Sequence, residues 1–335
     1  MSSTTQVTTF SDLYTDFLNR VREGTGVTAL ETLAKRYINT ALQDVHINPG
    51  TVFPWSIRSA VLLTHAPYST GTVDISASAR TTVTGTDTLW NTAVTGMGFN
   101  NAQAGGKMKF AGDDEVYTVS SVGSDTAITL STRYTGDALD DDTYTYFEDE
   151  YALASDYGRM VDLRIFSVPR RIPLIGPIDF RTRYGRNDTT GKPCAATLIQ
   201  LGFSGSSTPR HRVVLGPAPD GVYSIPYEYV TANLAVSSAG SEQAALSADA
   251  DEPIMPLRYR HVLVFHALFH YYRDYKDDAR SQEVKVEYID TMTRMSNDFG
   301  IGQKDRPRII PMRPGGRPIQ QRFDVSGRFD RLEDI

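Results

Sequence analysis

His266 and His270 stand four residues apart in His266-Ala-Leu-Phe-His270, a spacing that sets two imidazoles on one side of a helix within reach of one metal ion. Zinc hydrolases with this spacing carry a glutamate directly after the first histidine. Position 267 is alanine, so metal-assisted hydrolysis is not expected. Flanked by Phe265 and Tyr271, the pair reads as an aromatic packing face. Asp137, Asp140, Asp141 and Asp142 offer the oxygen ligands calcium favours, but they lack the DxDxDG order and trailing glutamate of a calcium loop, and a solvated turn between two strands is expected. Gly105-Gly106-Lys107 lacks the earlier glycine and the following Ser or Thr of a phosphate loop. Gly202-Phe-Ser-Gly205 is not GxSxG, so Ser204 has no nucleophile elbow to stand on. Asp156 and Asp162 read as turn or surface residues. A single cysteine, Cys194, excludes an internal disulfide and a thiolate metal cluster. The chain is therefore expected not to be an enzyme, and to carry no cofactor and no metal.

What would position these groups is written most clearly near the C-terminus. Leu257, His261, Val264, Leu268, Tyr271 and Tyr275, then Val284, Tyr288, Met292, Met295 and Phe299, recur at three- and four-residue steps, the spacing of an apolar helix stripe. Two helices, or one bent helix broken near Asp277–Arg280, are expected over 257–299. Such a stripe is unstable without a partner surface. The matching pattern lies at the other end of the chain, in Phe10, Leu13, Phe17 and Val21 and again in Leu30, Ala34, Tyr37 and Ala41. Ser11 is the expected start of the first helix and Gly24 its stop, and Thr28-Ala-Leu-Glu31 fits a capping box opening a second helix to about His46.

Between these ends the texture is β. After a crossover from Thr51 to His65, short runs at Val73–Ile75, Thr82–Thr84, Lys107–Phe110, Glu115–Val122, Ala127–Leu130 and Thr143–Phe147 are separated by Gly, Asp and Asn turns. With no helical crossovers, they suit a small antiparallel barrel or sandwich. Further strands are expected at Met160–Phe166, Ile178–Tyr184, Ala196–Phe203, Arg212–Leu215 and Gly221–Val230, with Thr231–Asp251 a loop. The expected fold is α+β: a discontinuous helical bundle with an inserted antiparallel β-barrel or sandwich module, a second β region and an extended C-terminal arm. Its parts are a helical hairpin and crossover at 10–67, the inserted module at 68–149, the second β region at 150–234, the completing helices at 252–299 and the arm at 300–335.

The chain has 335 residues, 40% hydrophobic and 22% charged, with a formal net charge of −6, a composition that supports packed cores and argues against a protein that coats nucleic acid. The first ten residues lack the basic and then apolar order of a secretory signal. No apolar run approaches the roughly 18 residues a membrane span needs. Soluble, intracellular synthesis is the expectation.

Leu153-Ala-Ser-Asp156, Ile178-Asp-Phe180, Tyr184-Gly185, Gly191-Lys-Pro193 and Leu215-Gly-Pro-Ala-Pro-Asp-Gly-Val-Tyr-Ser-Ile-Pro-Tyr-Glu-Tyr229 follow one another in the second β region. Together with the order of two helices, β insertion, two helices and long arm, they resemble the head-to-tail adaptor proteins of tailed bacteriophages, specifically the tail tubular protein A type of short-tailed phages. The large inserted module departs from minimal adaptors. The resemblance implies a homo-oligomeric ring, commonly of twelve copies, at the virion neck between capsid and tail. It would dock on the phage portal protein, present a platform to a tail nozzle or tail-tube protein, and let double-stranded DNA pass without sequence-specific binding during genome ejection. It implies synthesis in the host bacterial cytoplasm and no membrane partner.

The terminal segment carries Arg306, Arg308, Arg313, Arg317, Arg322 and Arg328 interleaved with Ile309, Ile310, Ile319, Phe323 and Phe329. Fully extended, about 35 residues reach about 115 Å at roughly 3.3 Å each. A docking arm, an unattached tail and a nucleic-acid-binding tail remain open. Arginine forks for carboxylates beside apolar anchors point to docking, and by the resemblance the partner is the portal. A reading of another class is host-carbohydrate binding by the inserted module, with Trp90, Tyr117 and Tyr134 stacking on sugars; the same three rings suit a core equally well.

Overall fold

The computed structural model describes residues 7–21, 28–47, 52–163, 171–200, 211–299, 321–323 and 329–331. The fold is mixed α+β, with five α-helices among the described residues: α1 Phe10–Val21, α2 Thr28–Ile47, α3 Pro177–Tyr184, α4 His261–Asp274 and α5 Asp278–Phe299. Residues 58–232 make one compact unit, and the segments on either side of them in sequence make the other.

In the 58–232 unit, β1 Ile57–Leu63 is followed by a seven-stranded antiparallel sheet of β2 Thr72–Ile75, β3 Thr82–Thr86, β4 Lys107–Phe110, β5 Tyr117–Ser124, β6 Ala127–Leu130, β7 Leu139–Asp142 and β8 Tyr144–Phe147. The strand order is β7-β2-β3-β6-β5-β4-β8. Its two edge strands are separated in sequence by Thr143 alone. A flat seven-stranded sheet would hold its edges about 29 Å apart at ~4.8 Å per strand, a gap one residue cannot cross. The sheet therefore curls into a half-barrel. Its concave core holds Val73, Val83, Met108, Phe110, Val119, Ile128 and Tyr146, with Trp90 and Tyr134 supplied by loops. Trp90 donates its indole N–H to the Tyr144 hydroxyl at 2.8 Å, and that hydroxyl donates to the Thr70 carbonyl at 2.8 Å. Gly85 makes room for this indole, since a Cβ there would lie 2.7 Å from the ring.

The seventh strand corrects the sequence reading. Asp140, Asp141 and Asp142 lie in β7 and not in a turn, because the edge position lets their carboxylates face water while the backbone pairs with β2 through a bulge. Asp141 adopts φ 60° at that bulge. Its carboxylate accepts from Thr72, and its amide donates to Asp74 at 2.7 Å.

The rest of this unit comprises β9 Glu150–Ala152, β10 Tyr157–Leu163, β11 Thr190–Gly191, β12 Ala195–Gln200, β13 His211–Gly216, β14 Ala218–Pro219 and β15 Ser224–Thr231. They form the sheets β1-β15-β10 and β12-β13-β9 and the parallel pair β11-β14. Along β15, Ile225, Tyr227 and Tyr229 are buried on one face, joining Leu62, Tyr151, Leu163 and Val213 in a second core. Residues 177–184 are helix, where alternation of Ile178, Phe180, Thr182 and Tyr184 suggests strand. Pro177 at the first helical turn and Gly185 at φ 53° just past the end are the helix signals that prevail, and only Phe180 is buried.

In the other unit, α1, α2, α4 and α5 contribute to one core, in which Phe17, Ile38, Leu42, Leu263, Val264 and Met295 are at most 2% exposed. The first helix begins at Phe10 and is capped by Thr9, not Ser11. The Asp12 carboxylate accepts from the backbone amides of Thr8 at 3.1 Å and Thr9 at 2.9 Å, while the Thr9 hydroxyl faces the Asp12 amide at 3.4 Å. Burial pushes the Asp12 carboxyl upward, but these donors prevail and hold it below its ordinary value. Between α4 and α5 the chain turns at Lys276, φ 58°, and the Asp277 side chain accepts from the Arg280 amide at 3.3 Å to start α5.

The segment expected as a loop after Thr231 contains a small antiparallel sheet of β16 Ala235–Val236, β17 Glu242–Gln243 and β18 Glu252–Pro253. Leu234, Ala235 and Leu246 enter the helical core. The buried Asp251 carboxylate organises the turn, accepting from the amides of Ser247 at 2.8 Å and Ala248 at 2.7 Å. Sparse apolar residues hid this segment, which side-chain acceptors order instead. Near the C-terminus, β19 Gln321–Phe323 pairs antiparallel with β20 Phe329–Arg331, setting Phe323 opposite Phe329 and Arg322 opposite Asp330.

Candidate functional site

Of the proposed docking residues, Arg322, Phe323 and Phe329 lie in the paired strands β19 and β20. Arg306, Arg308, Ile309, Ile310, Arg313, Arg317, Ile319 and Arg328 lie outside the described residues, as does Ser204.

The three rings considered for sugar stacking are interior: Trp90 is 0% exposed, Tyr134 3% and Tyr117 4%. Tyr117 and Tyr134 lie 5.3 Å apart, each in contact with Phe110, and present no face to a ligand. Asp156 is a turn staple, accepting from the Tyr229 hydroxyl at 2.7 Å and the Thr231 hydroxyl at 2.8 Å. Asp162 meets Arg171 at 3.1 Å. Lys107, from the glycine-glycine-lysine run, is committed to Asp149 at 2.5 Å, and Asn187 donates to the same carboxylate oxygen at 2.9 Å. With Lys109–Asp188 at 2.7 Å and Arg186–Glu115 at 2.9 Å, these contacts join the half-barrel to the segment after α3. They are structural ties between the β parts of one unit, with no nucleophile or acid–base pair among them.

The histidine pair has company that the sequence does not advertise. On α4, His266 and His270 project from adjacent turns, with ring centroids 4.5 Å apart. Asp44, in the last turn of α2, reaches both: its Oδ2 lies 3.2 Å from Nε2 of His270 and 3.8 Å from Nε2 of His266. Among the described residues, this is the one set of three or more His, Cys, Asp or Glu side chains whose ligand atoms all lie within 4.8 Å of one another. An aromatic packing role is also present, with a partner other than the expected Phe265 and Tyr271: Tyr288 of α5 meets His266 edge to face at 4.4 Å. Burial, then the neighbouring His270 ring, brings His266 down to about 4, with Asp44 opposing. Nothing local to either segment links position 44 to positions 266 and 270; the pairing of α2 with α4 creates the cluster.

Protein-family models and curated proteins yield no match to this chain. No helix among the described residues is long and apolar enough to cross a membrane.

Proposed function

We propose that this chain is the subunit of a head-to-tail adaptor ring in a tailed phage, a structural neck protein and not an enzyme. In this reading the four long helices are a discontinuous bundle that packs side by side around a ring of about twelve copies, a number taken from the resemblance. The arm at 300–335 docks on the portal protein through its arginines and interleaved Ile and Phe, ordering on contact so that binding offsets lost chain entropy. The β parts face a tail nozzle or tail-tube protein, and DNA passes through the lumen.

One observation supports the reading most: helices at the two ends of the chain share a core, while the segment bearing the adaptor-like motifs forms part of a separate unit inserted between them. The carbohydrate reading has lost its ligand-facing rings. Electron microscopy of the full-length protein mixed with portal rings is the test, with a ring seated on the portal expected. Deleting 304–335 should leave a folded protein that no longer binds portal. Binding that survives the deletion removes the arm from the mechanism, and failure of the intact chain to bind overturns the proposal.

A further inference from the structure

We propose that Asp44, His266 and His270 form a binding site for one divalent transition-metal ion of the zinc class, clipping the end of α2 to α4. The geometry is close to that of a loaded site. Ligands held tetrahedrally at about 2.0–2.1 Å from zinc lie roughly 3.3–3.4 Å from one another. The Asp44 oxygen is 3.2 Å from one imidazole nitrogen and 3.8 Å from the other, and all three ligand atoms fall within 4.8 Å, so small side-chain rotations close the set.

The second nitrogen comes from a buried side chain: His266 is 9% exposed, and its Nε2 faces the Asp44 carboxylate at 3.8 Å, beyond hydrogen-bond distance, where a cation shared with His270 would engage it. Two nitrogens and one carboxylate oxygen favour zinc, cobalt or nickel over magnesium or calcium, which prefer all-oxygen sets. Asp44 is 41% exposed on its side chain, so an ion can enter from water and keep a solvent ligand in its fourth position. The site stands whether or not the chain builds a ring.

The test uses full-length protein stripped with chelator and titrated by calorimetry with zinc sulfate, and separately with cobalt(II) read by its visible spectrum. Expected are one ion per chain, an intense tetrahedral cobalt spectrum, and at least a 100-fold loss of affinity in both Asp44→Ala and His270→Ala. Both side chains are partly exposed, so the variants should keep the parent's circular dichroism. His266→Gln, which retains bulk and a polar tip, should lose affinity similarly. Absence of binding by the intact chain at millimolar zinc overturns the proposal. So does binding that persists undiminished in the Asp44 and His270 variants, or an octahedral cobalt spectrum with no nitrogen ligands.

Discussion

Replacing Lys107 with methionine tests how firmly the half-barrel is fastened within its unit. The Lys107 ammonium lies 2.5 Å from an Asp149 carboxylate that is 1% exposed on its side chain, against 17% for the lysine. At an effective dielectric of about 20, two unit charges at that separation attract by about 6–7 kcal/mol, but desolvation of both offsets much of this. Removing the lysine alone does not return the carboxylate to water. It leaves a buried charge with the Asn187 amide on one oxygen and no hydrogen bond on the other. The expected loss is about 3–5 kcal/mol, the cost typical of a broken buried pair. Adding Asp149→Asn should return at least half of it, because the stranded charge is gone. Of the two tryptophans, Trp90 reports on this unit and Trp55 lies outside it. Urea unfolding followed by fluorescence in a Trp55→Phe background therefore isolates the transition. A Lys107→Met loss below about 1 kcal/mol, unaltered by Asp149→Asn, would refute the claim that this pair is buried and strained by separation.

Asp12→Ala removes the acceptor for the Thr8 and Thr9 amides and should cost about 1 kcal/mol, whereas Ser11→Ala should cost a few tenths; thermal unfolding compares them. Glu148 is buried, which raises its carboxyl above 4.5 although the Tyr146 hydroxyl, His65 and Arg212 pull it down. Between the unfolded and folded values the native chain holds a proton the unfolded chain has released, so Glu148 makes stability fall as pH rises through that window and level off above it. Glu148→Gln should flatten this slope and exceed the parent in urea midpoint at pH 8; a parallel pH profile would count against it. Replacing 58–232 with a short Gly/Ser linker should leave the helices folded, with Trp55 still stacked on Phe53 by fluorescence. A molten, ANS-binding product would mean the helical core cannot stand alone.

The four long helices were legible because each carries an apolar stripe of fixed period, and the alternation of β15 was legible for the same reason. Where the reading failed, local chemistry competed with periodicity. Residues 177–184 alternate like a strand, yet Pro177 and Gly185 bracket a helix. Asp140–Asp142 have turn composition, yet an edge position makes a strand of them. The 231–253 segment has too few apolar residues to show a pattern, and the hydrogen bonds to Asp251 that order it depend on geometry that composition does not encode. For the site, only the helical spacing of His266 and His270 was visible. Asp44 supplies the third group from a helix more than two hundred positions earlier, and only tertiary packing brings it there.

That distance bears on how the helical core forms at all. The stripes of α1 and α2 have no lasting partner until α4 is made, and joining the halves across an unstructured chain of roughly 200 residues carries a loop-closure cost that grows as the logarithm of length. The 58–232 unit removes part of that cost through its own strand pairing. Thr64, at the end of β1, donates to Tyr223 at 3.0 Å just before β15 begins, so the neighbouring strands β1 and β15 run antiparallel and Ile57 and Thr231 share one end of the pair. Once this unit folds, the chain leaves it near where it entered. The effective loop between α2 and α4 shrinks to roughly 40 residues, a little over two halvings of length, worth about 1.5 kcal/mol at ~0.6 kcal/mol each. Strand pairing inside the inserted unit thus shortens the closure between α2 and α4, which helps explain how so large an insertion is tolerated there.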